Sequence, residues 1–176
     1  MISERKIRIA VTGPESTGKT TLALQLADYF EGKYIPEFAR EYVEKLPGNY
    51  TFEDVETIAR SQVEQYLETT KDSCQFYFFD TWLIITKVWF QWVYGKVPEW
   101  LEEKIHECPV DLYLLCQPDL PWEADQVREN GGENRLRLFE QYRNELIHYG
   151  FNFVEIGGAG EQRLENAVSA ILNFSH

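Results

Sequence analysis

Six side chains of this sequence have the types and positions needed to move a phosphoryl group: Lys19, Thr20, Glu37, Asp80, Arg128 and Arg135. Lys19 and Thr20 close the run Gly13-Pro14-Glu15-Ser16-Thr17-Gly18-Lys19-Thr20, which has the G-x-x-x-x-G-K-[ST] spacing of a phosphate-binding loop. In such a loop the glycines let the backbone turn tightly and aim its N–H groups inward. The helix that follows adds the positive end of its dipole. Gly13, Glu15, Ser16, Thr17, Gly18, Lys19, Thr20 and Thr21 are therefore the candidate nucleotide contacts. Lys19 would reach the β- and γ-phosphates, and the Thr20 hydroxyl would ligate magnesium. A glycine turn that merely joins a buried strand to a helix is the bland alternative. The complete Gly-Lys-Thr ending and the strand and helix patterns on either side speak against it.

A carboxylate inside an anion cradle repels phosphate if it faces it, so Glu15 is expected to point away. Its partner is Arg40, Arg128, a hydroxyl of the acceptor, or solvent. Asp80 ends the apolar run Phe76-Tyr77-Phe78-Phe79, the usual form of a second nucleotide-site signature whose acid meets magnesium. Asp also caps helices, and Thr81-Trp82 is expected to begin one. Two acids at strand ends, Asp80 and Glu37, are available to orient or deprotonate an acceptor hydroxyl; Asp80 is the expected one, with Glu37 and Arg40 lining the acceptor site. Arg128 and Arg135 lie in the polar, glycine-broken stretch 117–137, which has the makeup of a mobile lid. Its arginines would close over the transferred group. A solvated loop in which Glu129 and Glu133 pair with these arginines is the other reading.

These groups need elements to position them. Ile7–Val11 is a β-branched apolar run ahead of the loop, and Leu22, Ala23, Leu26, Ala27 and Phe30 follow at helical spacing, closed by Gly32. Lys33–Ile35 is a short second strand stopped by Pro36, followed by a helical start at Glu37–Tyr42. Thr51 with Asp54 resembles a capping box, and Val55, Ile58, Ala59, Gln62, Val63, Tyr66 and Leu67 form a helical stripe. Gln62 lies on that inward stripe, where a buried amide must find partners, as a structural bridge or a substrate contact. A helix from Thr81 carries Trp82, Ile85, Trp89, Phe90, Trp92 and Val93, apolar nearly all round. Most of these are expected in the core, with Trp82 the best placed to touch substrate. A helix at Pro98–Glu107, a strand at Leu112–Cys116, a helix to His148, a strand at Phe151–Ile156 and a glycine turn before a last helix complete the chain. Five apolar strands alternating with helices predict a parallel sheet covered on both faces, an α/β three-layer fold. The order 2-3-1-4-5 follows by analogy with small P-loop kinases.

The chain has 176 residues, a length suited to one domain. Its net charge of −12 disfavours a nucleic-acid partner, because neutralising phosphates needs a basic face. Cys74, Cys108 and Cys116 show no C-x-x-C spacing and read as reduced thiols of a cytoplasmic protein. The start Met1–Lys6 carries no long apolar segment, so no secretory signal is expected. Trp82–Tyr94 is too short and too often interrupted to span a membrane. Aromatic residues exposed on it would be the first surface to inspect for a homo-oligomer.

Gly13-Pro14-Glu15-Ser16-Thr17-Gly18-Lys19-Thr20-Thr21, Pro36–Tyr42, Ile58-Ala59 with Gln62, Asp80-Thr81, and Asp111–Leu115 followed by Pro118-Asp119-Leu120-Pro121-Trp122 resemble the ribosylnicotinamide kinase domain of the NadR family. The resemblance covers nearly the whole chain. It implies transfer of the γ-phosphoryl of ATP, with Mg2+, to the ribose 5′-hydroxyl of nicotinamide riboside, a small-molecule nucleoside. The pyridinium ring of that acceptor suits aromatic faces, with Trp82 and a lid-borne Trp122 as candidates and Asp125 placed among the substrate contacts. The DNA-binding and adenylyltransferase modules of fused members do not fit here, so neither activity is expected. Where the family commonly has Asp-Gly before its lid arginine, this chain has Asp125-Gln126. A kinase for another nucleoside or small alcohol, or a nucleotide-dependent regulatory ATPase, are the alternatives.

Overall fold

A computed structural model describes residues 5–175; the start of the chain, on which the expectation of no secretory signal rests, lies mostly outside them. The elements in order are β1 (Ile7–Thr12), α1 (Lys19–Tyr29), β2 (Lys33–Ile35), α2 (Phe38–Glu44), α3 (Phe52–Lys71), β3 (Phe76–Asp80), α4 (Leu83–Tyr94), α5 (Glu99–Glu107), β4 (Leu112–Cys116), α6 (Glu133–Tyr149), β5 (Phe153–Ile156) and α7 (Glu161–Ser175). All strands are parallel in the order β2-β3-β1-β4-β5, as expected.

The strands are apolar on both faces because both are covered. Ile9, Val11, Phe78, Leu112 and Leu114 pack with Leu22 and Leu26 of α1 and Ile171 of α7. The alternate residues Ala10, Tyr77, Phe79, Tyr113 and Leu115 pack with α3, α4, α5 and α6. Register does the positioning. Val11 pairs with Asp80 and Thr12 with Leu115, so β1 and its neighbours β3 and β4 end level, and the loops beyond them converge. That carboxyl edge is where open α/β sheets bind ligands.

Local chemistry explains the element ends. The Thr51 hydroxyl accepts from the Asp54 amide and the Asp54 carboxylate accepts from the Thr51 amide, so the expected capping box starts α3. Gly32 closes α1 as expected, its amide bonding the Ala27 carbonyl at 2.8 Å, but not as the left-handed residue. The left-handed residue is Glu31, at φ 49°, and Gly32 is required for another reason: a Cβ there would lie 2.9 Å from Phe76 and Phe78. α4 begins at Leu83 rather than Thr81, because Thr81 takes φ 68° while its amide bonds the Val11 carbonyl at 3.0 Å. β5 begins at Phe153 rather than Phe151, since the Phe151 amide still bonds Leu146 at the exit of α6. Within the expected lid, α6 takes over from Glu133.

One ion cluster built on a buried lysine ties the helical layer together. Lys87 of α4 bonds Glu145 at 2.8 Å and Tyr149 at 2.8 Å on α6, and pairs with Glu102 of α5 at 3.0 Å. Among the described residues no helix is long and apolar enough to cross a membrane.

Candidate active site

The phosphate loop is shaped by three residues with positive φ: Gly13 at 142°, Ser16 at 56° and Gly18 at 73°. At Gly13 a Cβ would stand 2.7 Å from the Cys116 carbonyl, so β4 leaves no room for a side chain there. α1 begins with Lys19 and carries no acid in its first turn, which leaves its amino end free for an anion. Lys19 Nζ donates to the Pro14 carbonyl at 2.8 Å, folded back across the loop, and the Thr17 hydroxyl donates to the same carbonyl at 2.8 Å.

Asp80 lies beside that loop, with 2% of its surface exposed. Its Oδ2 accepts from the Thr20 hydroxyl at 2.5 Å and the Tyr34 hydroxyl at 3.0 Å. Its Oδ1 is buried and has no partner among the described residues. A lone buried carboxylate oxygen costs desolvation unless a cation or donor meets it. Thr20 and Asp80 therefore fit a hard divalent cation with oxygen ligands. No cluster of three or more acids, histidines or cysteines suited to a metal occurs among the described residues.

A cleft of about 250 Å³ runs from Gly13–Thr21 past Glu37 and Arg40 to Gln62, Thr86 and Trp89. Asp80 does not line it, whereas Glu37 does. Burial pushes the Glu37 carboxyl above its ordinary value and Asp80 adds to the rise, while Lys19 and Arg40 oppose it. Asp80 thus faces Thr20 and Glu37 lines the cleft beside Arg40, both as expected, whereas Asp80, the acid expected to take the hydroxyl proton, does not line the cleft.

The segment 117–132 lies over this cleft. Glu15 points away from the loop interior as expected, but its partners are neither arginines nor solvent. Its carboxylate accepts from the backbone amides of Glu129 at 3.0 Å and Asn130 at 2.8 Å. The Ser16 hydroxyl is likewise engaged by the backbone of Glu123 at 3.1 Å. Arg40 donates to Asp125 at 2.9 Å, and Tyr50 donates to Glu129 at 2.9 Å, so the acceptor side is also stitched to the segment. Burial would raise the Asp125 carboxyl, but the amides of Val127 and Arg128 and the Arg40 guanidinium hold it below the usual carboxylate range. Burial, with the Glu129 contact adding, pushes the Tyr50 phenol up to about 12.

The two arginines separate. Arg128 lines the cleft, with its guanidinium on the Glu123 carbonyl at 2.6 Å and on Asp125 at 3.2 Å. Arg135, expected to close over the transferred group, instead belongs to α6 and is 7% exposed. It donates to the carbonyls of Glu15 at 3.0 Å, Ser16 at 2.7 Å and Leu120 at 2.7 Å, holding the phosphate loop from behind.

Neither expected tryptophan reaches the cleft. Trp82 is 2% exposed and stacks on Tyr66 at 5.5 Å, because the left-handed turn at Thr81 directs it into the core. Trp122 packs on Gly131 of its own segment. The aromatic lining comes instead from Trp89, Trp92, Tyr50 and Tyr142, with Trp89 edge-on to Tyr50 at 4.8 Å. Ile85, Trp89 and Trp92 share one face of α4 at helical spacing, a signal present in the sequence without its phase.

A family model described as an AAA domain matches residues 8–163. The "Trifunctional NAD biosynthesis/regulator protein NadR" of Salmonella typhimurium (strain LT2) is 27% identical over 143 residues, 79% of this chain and 35% of that protein. A crystal structure of NadR protein in complex with NR superposes with a TM-score of 0.79 at 22% identity, covering 96% of this chain and 50% of that one. A crystal structure of NadR in complex with NAD and AMP-PNP gives 0.78 at 22% identity, covering 97% and 49%. At that identity the likeness is one of fold. The chain spans about a third of the length of the curated relative and about half of each solved chain.

Proposed function

Because this chain belongs to the AAA domain family, we propose that it is a P-loop kinase that uses ATP and Mg2+ to phosphorylate the ribose 5′-hydroxyl of nicotinamide riboside, a step of NAD salvage. One observation carries the reading: the phosphate loop and a second set of polar and aromatic groups open into a single cleft, so that donor and acceptor would meet there. The NR and AMP-PNP carried by the NadR structures support this choice of ligands. The unit is read as one kinase domain over 1–176 with a lid at about 117–137.

Catalysis in such a site is positioning and charge neutralisation. The loop amides and Lys19 bind the phosphates, Lys19 exchanging the Pro14 carbonyl for them. Thr20 and Asp80 would hold Mg2+, which neutralises charge on the phosphates when bound. Glu37 orients the 5′-hydroxyl and accepts its proton, a role suited to an acid whose affinity for protons is raised. Arg128 stabilises charge on the transferred group, and Arg135 keeps the loop in shape from behind. Trp89 and Tyr50 offer aromatic faces to the cationic ring.

The test is nucleoside-diphosphate release by the purified protein with ATP, Mg2+ and nicotinamide riboside, set against uridine, deoxynucleosides and no acceptor. Release confined to the nicotinamide nucleoside is expected. Slow hydrolysis indifferent to every acceptor would overturn the reading.

A further inference from the structure

We propose that Gln62 is the residue that reads the base ring of the acceptor: its Nε2 donates to a carbonyl oxygen carried on that ring, with Thr86 holding the amide in the required orientation. The inference rests on the reading of the cleft as a nucleoside-kinase acceptor site.

Gln62 is 3% exposed and Thr86 2%, yet both line the cleft. The Thr86 hydroxyl donates to Gln62 Oε1 at 2.6 Å. That bond commits the amide oxygen to the protein and turns the NH2 end away from Thr86. Nε2 has no partner among the described residues, and it is not among the fully enclosed side-chain polar atoms that lack one. A fixed, nearly buried donor on a residue that lines the cleft is free to meet a ligand acceptor there, which would displace the water that otherwise satisfies it.

The chemistry of the ligand follows. The free group is a pure donor, so it selects an oxygen acceptor and rejects a bare ring edge or an amine. The surroundings choose among oxygens. Glu37 and Glu129 also line the cleft, so an added ring carboxylate meets like charge where a neutral carboxamide does not. Trp89, one helical turn beyond Ile85 on the same face of α4, supplies an apolar wall beside the amide. Ring face and ring substituent are thus read by different elements, α4 for the face and α3 for the substituent.

The experiment pairs a change in the protein with a change in the acceptor. Wild type, Gln62→Leu, Gln62→Met and Thr86→Val are assayed with nicotinamide riboside and with ribosylpyridinium, which lacks the carboxamide. Wild type is expected to favour nicotinamide riboside by about ten- to hundred-fold in kcat/KM. Gln62→Leu and Gln62→Met should lose that preference, falling on nicotinamide riboside and staying within about twofold on ribosylpyridinium. Thr86→Val, which keeps the shape but frees the amide to rotate, should fall part of the way on the first acceptor only, and it carries the test if the Gln62 variants do not fold. Equal losses on both acceptors, or no loss on either, would overturn the assignment of Gln62 while leaving the kinase reading intact. A wild-type protein inert toward both ribosides would overturn the kinase reading first and this inference with it.

Discussion

The carboxylate of Glu15, within the phosphate loop, lies 2.8 Å from the backbone nitrogen of Asn130, 115 residues further along the chain. An acid in an anion cradle is tolerated because two peptide N–H groups of the 117–132 segment hold it away from the site.

Removing that acid should loosen the segment. Glu15→Ala deletes charge-assisted bonds to two amides, each worth about 1.5–3 kcal/mol when intact. Proteolytic nicking within 117–132 should therefore rise at least about tenfold, with a raised KM for ATP. Limited proteolysis of the two proteins side by side measures it; identical nicking rates would mean that Glu15 is not the anchor.

The two arginines should behave differently. Arg135→Ala leaves three carbonyls without their donor and should cost about 2–4 kcal/mol of stability, and Arg135→Lys should not restore it, because an ammonium cannot reproduce the fork. Arg128→Ala should leave the melting temperature nearly unchanged and lower kcat by about a hundredfold. Thermal melts and turnover on the same preparations separate them. A stable Arg135→Ala protein would remove its role behind the loop.

Glu37 and Asp80 should divide by pH. Burial raises the Glu37 carboxyl above its ordinary 4.5, so turnover should fall on acidification at a higher pH than an unperturbed acid would give. Glu37→Gln should be nearly inactive, yet more stable than wild type at neutral pH. The sign follows from linkage: an acid whose folded value is raised favours the folded state at low pH, and that contribution is lost as pH rises through the raised value. Asp80→Asn should instead abolish the magnesium dependence of nucleotide binding. A Glu37→Gln protein with wild-type turnover would return the hydroxyl to Asp80.

Lys87 should be structural. Its side chain is 6% exposed between Glu145 and Glu102, and although burial opposes it, those partners and Tyr149 hold its ammonium above the ordinary 10.5. Lys87→Met removes the cation from the largely buried Glu145, while Glu102, 44% exposed, stays in water, and should cost about 1–3 kcal/mol in denaturant unfolding. The stability it contributes should persist up to pH 10.5 and be lost only as pH rises through the raised value.

What was legible in the sequence was whatever is local. The β1-loop-α1 unit, the Thr51–Asp54 cap and the alternation of strands with helices are written in residue types and short spacings, and they carry the fold. Positions set by long-range contacts were hidden. In α4, apolar nearly all round, no periodicity tells which aromatic faces the cleft. The left-handed turn at Thr81 sends Trp82 inward and leaves that place to Trp89 and Trp92. Arg135 read as a lid group because its neighbours are polar, but its guanidinium meets carbonyls from distant parts of the chain. Gln62 stood out because a buried amide always needs partners, although only the packing could supply Thr86.

The close approach of Gly13 to the end of β4 has a chemical corollary for thiol reagents. Cys116, whose Cβ would lie 3.2 Å from any Cβ at Gly13, is fully buried, and burial pushes its thiol up to about 11. It is therefore neither reachable nor ionised, and Cys108 is almost as enclosed, with its thiol also raised by burial. Cys74, half-buried just before β3, sits at the opposite end of the sheet from the cleft. Alkylating agents should label that one position and spare turnover, which makes it a ready attachment point for a reporter dye.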